Sequence, residues 1–193
     1  MSCPSNAAFD AAMHMVPYME QHKNKGILFS ANGNIDPVVM VDASNKPDPH
    51  SGLAQAGYTS HWANGPTACK SSLLKHEGLS SEHNGYMGLT AALRFAVWMR
   101  QLLSEIGVNK LVQKPFNVYG DNIAANNLCK NHFVSTGNQH IFMPYHWNRR
   151  AVREGHAIVK WVQTNMNISD IMTKPLGGAT FQLFLLIMSA WIR

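Results

Sequence analysis

Only eleven of the 193 residues are aspartate or glutamate, so a carboxylate at the end of an apolar segment stands out. Three aspartates sit that way. Asp42 ends the apolar run PVVMVD, Asp121 lies in VYGDN where a strand pattern gives way to a helix pattern, and Asp170 follows a polar loop in SDIMTKP. If a sheet brings these ends to one edge, three carboxylates meet there. Hard oxygen ligands of this kind suit Mg²⁺, which binds through a few carboxylates, keeps several waters and accepts substrate phosphate as a further ligand. Two such ions about 4 Å apart hold the attacking and leaving oxygens of an in-line phosphoryl displacement, which is nuclease chemistry. Two of the three also have plainer readings. Asp121 could cap its helix, and Asp170, after Asn167 and Ser169, could be a cap or turn residue. Asp42 resists such a reading, because an ionised group on an apolar strand is costly to bury without a partner.

The elements that must position these residues follow from the spacing of apolar side chains. Residues 7–22 have helical spacing, with Pro17 expected to kink or split the run. PVVMVD reads as a short strand with Asp42 on the face of Val38 and Met40. A Pro- and Gly-containing loop (46–52) precedes a hairpin pair at 54–63 and 67–74. Ser80 and Ser81 are N-caps for a long helix that starts near Glu82 and is closed by Gly107. Its apolar residues, among them Leu89, Leu93, Ala96, Val97 and Leu103, hold one face, and Phe95, Trp98 and Leu102 widen it. Then come a strand at 115–121, a helix beginning at Asp121, a second helix from about Gln139 to Glu154, a strand at 156–164 and a last helix near 179–191. Strands first and alternating helices later indicate an α/β fold with a mixed sheet and helices on its faces.

Composition adds looser bounds. Sixteen Lys and Arg against eleven acids give a net charge of +5, which suits an anionic partner such as nucleic acid but is common without one. The three cysteines, Cys3, Cys69 and Cys129, form neither a disulfide framework nor a zinc pattern. The N-terminal stretch lacks the basic and apolar regions of a secretory signal, so an intracellular protein is expected. The most apolar run, FQLFLLIMSAWI, is well short of the roughly 20 residues a membrane span needs and reads as a docking helix.

Several segments taken together carry a resemblance. LSSEHNGYMGLTAALRFAVWMRQLLSEIG, VYGDNIAANNL and GNQHIFMPYHWNRRAVREGHAIVKWVQTNMNISDIMTKPL occur in the order found in the ribonuclease H domain of copia-type retrotransposon polyproteins, and the whole chain from roughly Phe9 to Leu176 resembles that family. The resemblance implies a ribonuclease H-like fold: a five-stranded mixed sheet, its first three strands antiparallel, flanked by helices. It implies hydrolysis of the RNA strand of an RNA–DNA hybrid with two Mg²⁺ ions, in reverse transcription, beside a polymerase domain of the same polyprotein. The corresponding location is cytoplasmic or within virus-like particles. On this reading residues 1–35 are a helical segment resembling the polymerase connection, 36–176 the ribonuclease H-like domain and 177–193 an apolar C-terminal helix.

Carried onto this chain, the family's metal-binding aspartates fall on Asp42, Asp121 and Asp170. The family's Glu before the helix tyrosine falls on Gly85, immediately before Tyr86, so one of four carboxylates is missing. Glu82 is the nearest substitute, one turn earlier, about 4.5 Å along the helix axis at 1.5 Å per residue. Its side chain leans further toward the helix N-terminus. The resemblance therefore implies weakened hydrolysis, with an inactive nucleic-acid-binding or scaffolding remnant as the alternative. Asn122, beside Asp121, is a candidate contact to the hybrid. Arg149, Arg150 and Arg153 form a basic stripe that could neutralise phosphates or simply face solvent. The loop QTNMNIS carries no histidine for proton transfer; structural roles are expected for His140 and His146, and His156, at a strand start, is no better placed for it.

Overall fold

The structure is a computed structural model that describes residues 5–30, 35–48, 51–78, 80–130 and 142–188. It contains α1 (Asn6–Gln21), β1 (Val38–Pro47), β2 (Ala54–Trp62), β3 (Gly65–Leu73), α2 (Ser81–Glu105), α3 (Asn109–Val112), β4 (Phe116–Gly120), α4 (Ile123–Lys130), α5 (Phe142–Arg153), β5 (Ala157–Trp161) and α6 (Gly178–Met188). Two short 3₁₀ turns, Thr164–Met166 and Ile168–Met172, lie between β5 and α6.

The five strands form one sheet in the order β3-β2-β1-β4-β5. Strands β1, β2 and β3 pair antiparallel, while β4 runs parallel to both β1 and β5. The mixed sheet expected from the sequence is therefore present. Alternation along β1 follows the strand period of two: Val39 and Val41 are buried in the main core, which leaves Val38, Met40 and Asp42 on the other face.

Helix α2 closes the core. Tyr86, Leu89, Leu93, Ala96 and Leu103 recur at three- and four-residue intervals and are buried against Val39, Val41, Phe116, Val118 and Val159. Ser80 caps its start, accepting a bond from His83 N at 3.1 Å. At the other end Gly107 adopts φ 83°. There Gly107 N donates to Ser104 O, and Val108 N donates to Leu103 O at 2.8 Å, the pattern that satisfies a helix's last carbonyls.

Four expectations are corrected at element boundaries. Helix α1 runs through Pro17 unbroken; it buries no residue, so its path is not fixed by core packing. Strand β1 extends past Asp42 to Pro47 with an irregularity after Ala43, because β2 continues to offer it partners. Strand β5 ends at Trp161 instead of 164, where the chain turns away toward the 3₁₀ segments. Helix α4 begins at Ile123 and its cap is Asn122, whose Oδ1 accepts from Ala125 N at 3.0 Å; Asp121 is not the cap. The expected helix start at Gln139 and the end of the last helix beyond Met188 lie outside the described residues.

Candidate metal centre

The parallel register of β1 and β4 decides where two of the aspartates go. Val41 pairs with Gly120, so Asp42 and Asp121 follow the last paired residues of adjacent strands and emerge at the same sheet edge. Beyond that point β1 continues with β2 while the chain after β4 enters α4, and the divergence opens a crevice outside the strand ends. After β5 the chain returns across this crevice. Asn167, fully buried, donates from Nδ2 to Val41 O at 3.0 Å and accepts from Ser169 through Oδ1, which pins the 168–172 turn to β1 beside Asp42. That turn carries Asp170. Its fit against the sheet depends on Gly57: a Cβ there would lie 2.4 Å from Met172 Cβ and 2.8 Å from Lys70 O.

The three aspartates converge. One carboxylate oxygen from each of Asp42, Asp121 and Asp170 lies within 4.8 Å of the others, the one such group among the described residues. Asp42 and Asp170 are buried and Asp121 is half-buried. Thr173 Oγ1 donates to Asp42 Oδ2. Lys174 Nζ stands 2.9 Å from Asp170 Oδ2 and 3.7 Å from Asp42 Oδ2. The crevice over them is a cavity of about 650 Å³ whose lining includes Asp42, Gly85, Asp121, Asn122, Thr164 and Lys174.

Crowding three carboxylates in a half-dry site penalises their charged forms. Burial pushes the Asp170 carboxyl up to about 6, opposed by its hydrogen bond to Lys174 and reinforced by Asp42. Asp121 is also raised, first by burial and then by Asp42, while a hydrogen bond from Thr164 works the other way. Burial would lower the Lys174 ammonium, but its bond to Asp170 and the neighbouring carboxylates outweigh burial and the net direction is up. A donor set of hard carboxylate oxygens, with Asp170 Oδ1 buried and unpartnered, fits a divalent cation such as Mg²⁺.

Gly85 faces the same cavity. A Cβ at this position would meet Asn122 Nδ2 at 3.0 Å, Ala125 Cβ at 3.2 Å and Asn122 Cβ at 3.2 Å. Asn122 also donates to Ser81 O at 3.0 Å, so its amide ties the first turn of α2 to the start of α4 across the glycine. Glu82 is half-buried in that first turn and is not among the converging carboxylates.

No family model matches the sequence. The retrovirus-related Pol polyprotein from transposon RE1 of Arabidopsis thaliana is 27% identical over 184 residues, 95% of this chain. That from transposon TNT 1-94 of Nicotiana tabacum is 27% identical over 182 residues, 93% of this chain. The chain spans only 12% and 13% of the lengths of these relatives. Among solved structures, LC11-RNase H1 superposes with a TM-score of 0.54 at 14% identity, covering 72% of this chain and 93% of that one. The N-terminal RNase H domain of a Mycobacterium tuberculosis protein gives 0.50 at 15% identity, covering 76% and 97%. The chain has a ribonuclease H-like fold and is similar in sequence to retrotransposon Pol polyproteins.

In this ribonuclease H-like domain the remaining candidates lie elsewhere or are already engaged. Arg149, Arg150 and Arg153 line a separate cavity of about 540 Å³ with Lys130, His146 and Cys129, between α4 and α5. Arg149 Nε donates to Leu128 O at 3.3 Å, and Arg150 pairs with Glu154 at 3.4 Å. His156 lies 3.3 Å from Glu154, and neither it nor His146 lines the carboxylate cavity. His140 lies outside the described residues. Sequence reasoning gave Thr173 and Lys174 no role and read Asn167 only as a neighbour of a cap or turn residue. The one local signal was the four-residue step from Asp170 to Lys174, a spacing at which side chains meet in a helical turn.

Proposed function

We propose that this domain binds divalent metal through Asp42, Asp121 and Asp170 and acts on the RNA strand of an RNA–DNA hybrid, with hydrolysis weakened by the glycine at position 85. The observation that carries the reading is the convergence of the three carboxylates beside the end of the β1–β4 pairing, at a cavity of about 650 Å³. Bound Mg²⁺ would supply charge neutralisation and a more acidic water at the scissile phosphate. The chain's own residues set the geometry. Asp42 is held by Thr173, Asp121 is steadied by Thr164, and the 168–172 turn delivers Asp170. One solved neighbour by fold, LC11-RNase H1, has been crystallised with an RNA/DNA hybrid, with a TM-score of 0.51 at 13% identity. Residues 1–35 would lie toward the polymerase portion of a longer polyprotein, and the three arginines of α5 would meet phosphates.

A second reading, an inactive nucleic-acid-binding remnant, is favoured by one feature. The space beside Gly85 is taken by Asn122 and Ala125, so the place of a fourth carboxylate is not simply open.

Cleavage of a labelled RNA–DNA hybrid in Mg²⁺ tests both. The parent is expected to cleave weakly, and Asp42→Asn to abolish the residue of activity. Gly85→Glu with Asn122→Ser, which shortens the obstructing side chain but keeps a helix cap, is expected to raise cleavage above either single variant. Strong parental cleavage unaffected by Asp42→Asn would remove the assigned site. Salt-sensitive hybrid binding without cleavage in any variant would select the remnant.

A further inference from the structure

We propose that Lys174 is a tethered cation that competes with divalent metal for the carboxylate oxygens, so that ion binding requires its ammonium to withdraw. The inference rests on the metal-binding reading above. Lys174 Nζ contacts Asp170 Oδ2 and Asp42 Oδ2, and Asp42 and Asp170 supply two of the three carboxylates whose convergence defines the metal group. An ammonium 2.9 Å from one carboxylate oxygen and an ion bound to the same oxygen cannot share its charge without repelling each other.

The alternative partners are limited. Asp42 Oδ2 already receives the Thr173 hydroxyl, and Asp121 is bonded to Thr164, so Lys174 is the cationic side chain among those lining the cavity. The charge count adds to this only for a second ion. Three carboxylates with one ammonium leave two negative charges, which a single divalent ion balances. A second ion would take the site to a net charge of +2 with the ammonium in place and +1 without it, so each added ion makes the ammonium harder to keep. Withdrawal has a path: the Lys174 side chain is 39% exposed, whereas the aspartates it joins are 6% and 8% exposed. Its base is fixed meanwhile, because Lys174 N donates to Asp170 O at 3.2 Å. The tether can swing while the turn that carries Asp170 stays in place.

Competition and a purely structural ion pair predict different outcomes for Lys174→Met. Both predict a lower melting temperature in EDTA, since buried carboxylates lose their counter-ion. Competition alone predicts tighter metal binding. An opposite charge within this distance ordinarily changes the cost of ionising a carboxylate by 1–3 pKa units, so the Mn²⁺ dissociation constant should fall roughly tenfold or more. Mn²⁺ titration of the full chain by calorimetry and electron paramagnetic resonance reads this directly. Lys174→Arg, which keeps the charge, should bind as the parent does. Lys174→Gln, which keeps a donor for Asp170, carries the expectation of Lys174→Met should that variant not fold. If the parent binds Mn²⁺ and neither neutral variant binds it more tightly, the competition is overturned and the metal site stands. If no variant binds Mn²⁺, the metal-binding reading itself falls, and this proposal with it.

Discussion

At the scale of single residues the site behaves as an electrostatic compromise, and its pH response follows in sign. Asp170 holds its proton up to about 6 in the fold against an ordinary value of 3.8. A carboxyl raised by folding stabilises the folded state while protonated and loses that contribution as pH rises through its folded value. Metal-free protein should therefore lose stability between roughly pH 4 and 7. Asp170→Asn, which cannot ionise, should lose less over that range in urea titrations with EDTA. Metal binding has the opposite sign, since the ion needs the ionised form: Mn²⁺ affinity of the parent should weaken as pH falls below about 6. A parent whose stability increases across that range relative to Asp170→Asn would contradict the assignment. The aspartates themselves stood out in the sequence because acids are scarce and Asp42 and Asp121 close apolar runs. Their supports did not. Asn167 reaches Val41 and Thr173 reaches Asp42 across more than a hundred residues, separations no local pattern encodes. Between neighbours Asp121 and Asn122, capping chemistry alone could not tell which takes the helix and which the site.

At the scale of elements, the site is as accurate as the placement of one short turn. Residues 168–172 lie on β2 only because Gly57 has no side chain, and Ser71 Oγ donates to Met172 O to hold the contact. Gly57→Ala introduces a methyl where Met172 Cβ and a backbone carbonyl already stand, so the turn must move outward. Overpacking of this kind costs roughly 1–3 kcal/mol. The expected result is a lower urea midpoint together with weaker Mn²⁺ binding, although no ligand has been touched. Reduced stability with unchanged metal affinity would show that Asp170 is placed independently of the turn's seat. The elements themselves were largely legible, α2 above all, because it buries a face of definite period and its ends carry Ser80 and Gly107. The glycine at 57 was not, since a close approach between elements leaves no trace in the spacing of either. Pro17 does not split α1, although a proline inside a helix removes one backbone hydrogen bond.

At the scale of the whole molecule, the two terminal helices differ in what they hold. Helix α1 buries no residue, and Phe9 and Met19 are 64% and 66% exposed. Among the described residues Tyr18 meets Phe181 at 6.5 Å, while Phe9, Met13, Val16 and Met19 stay exposed, a surface of the kind that marks an interaction site. Helix α6 is different. Phe184 is 1% exposed, and the helix packs against the 168–172 turn that carries Asp170. The proposed boundary at Leu176 would therefore cut through the structure that supports the site. Deleting residues 1–26 should shift the melting temperature by only a few degrees and leave Mn²⁺ affinity unchanged. Ending the chain at Leu176 should cost roughly 3–5 kcal/mol, as emptying a buried phenylalanine site does. It should also weaken Mn²⁺ binding by loosening the turn. Phe184→Ala separates packing from chain length: if it reproduces the truncation in both stability and metal affinity, α6 belongs to the ribonuclease H-like unit. If the truncated chain keeps parental affinity, the turn needs no support from α6 and the domain does end at Leu176.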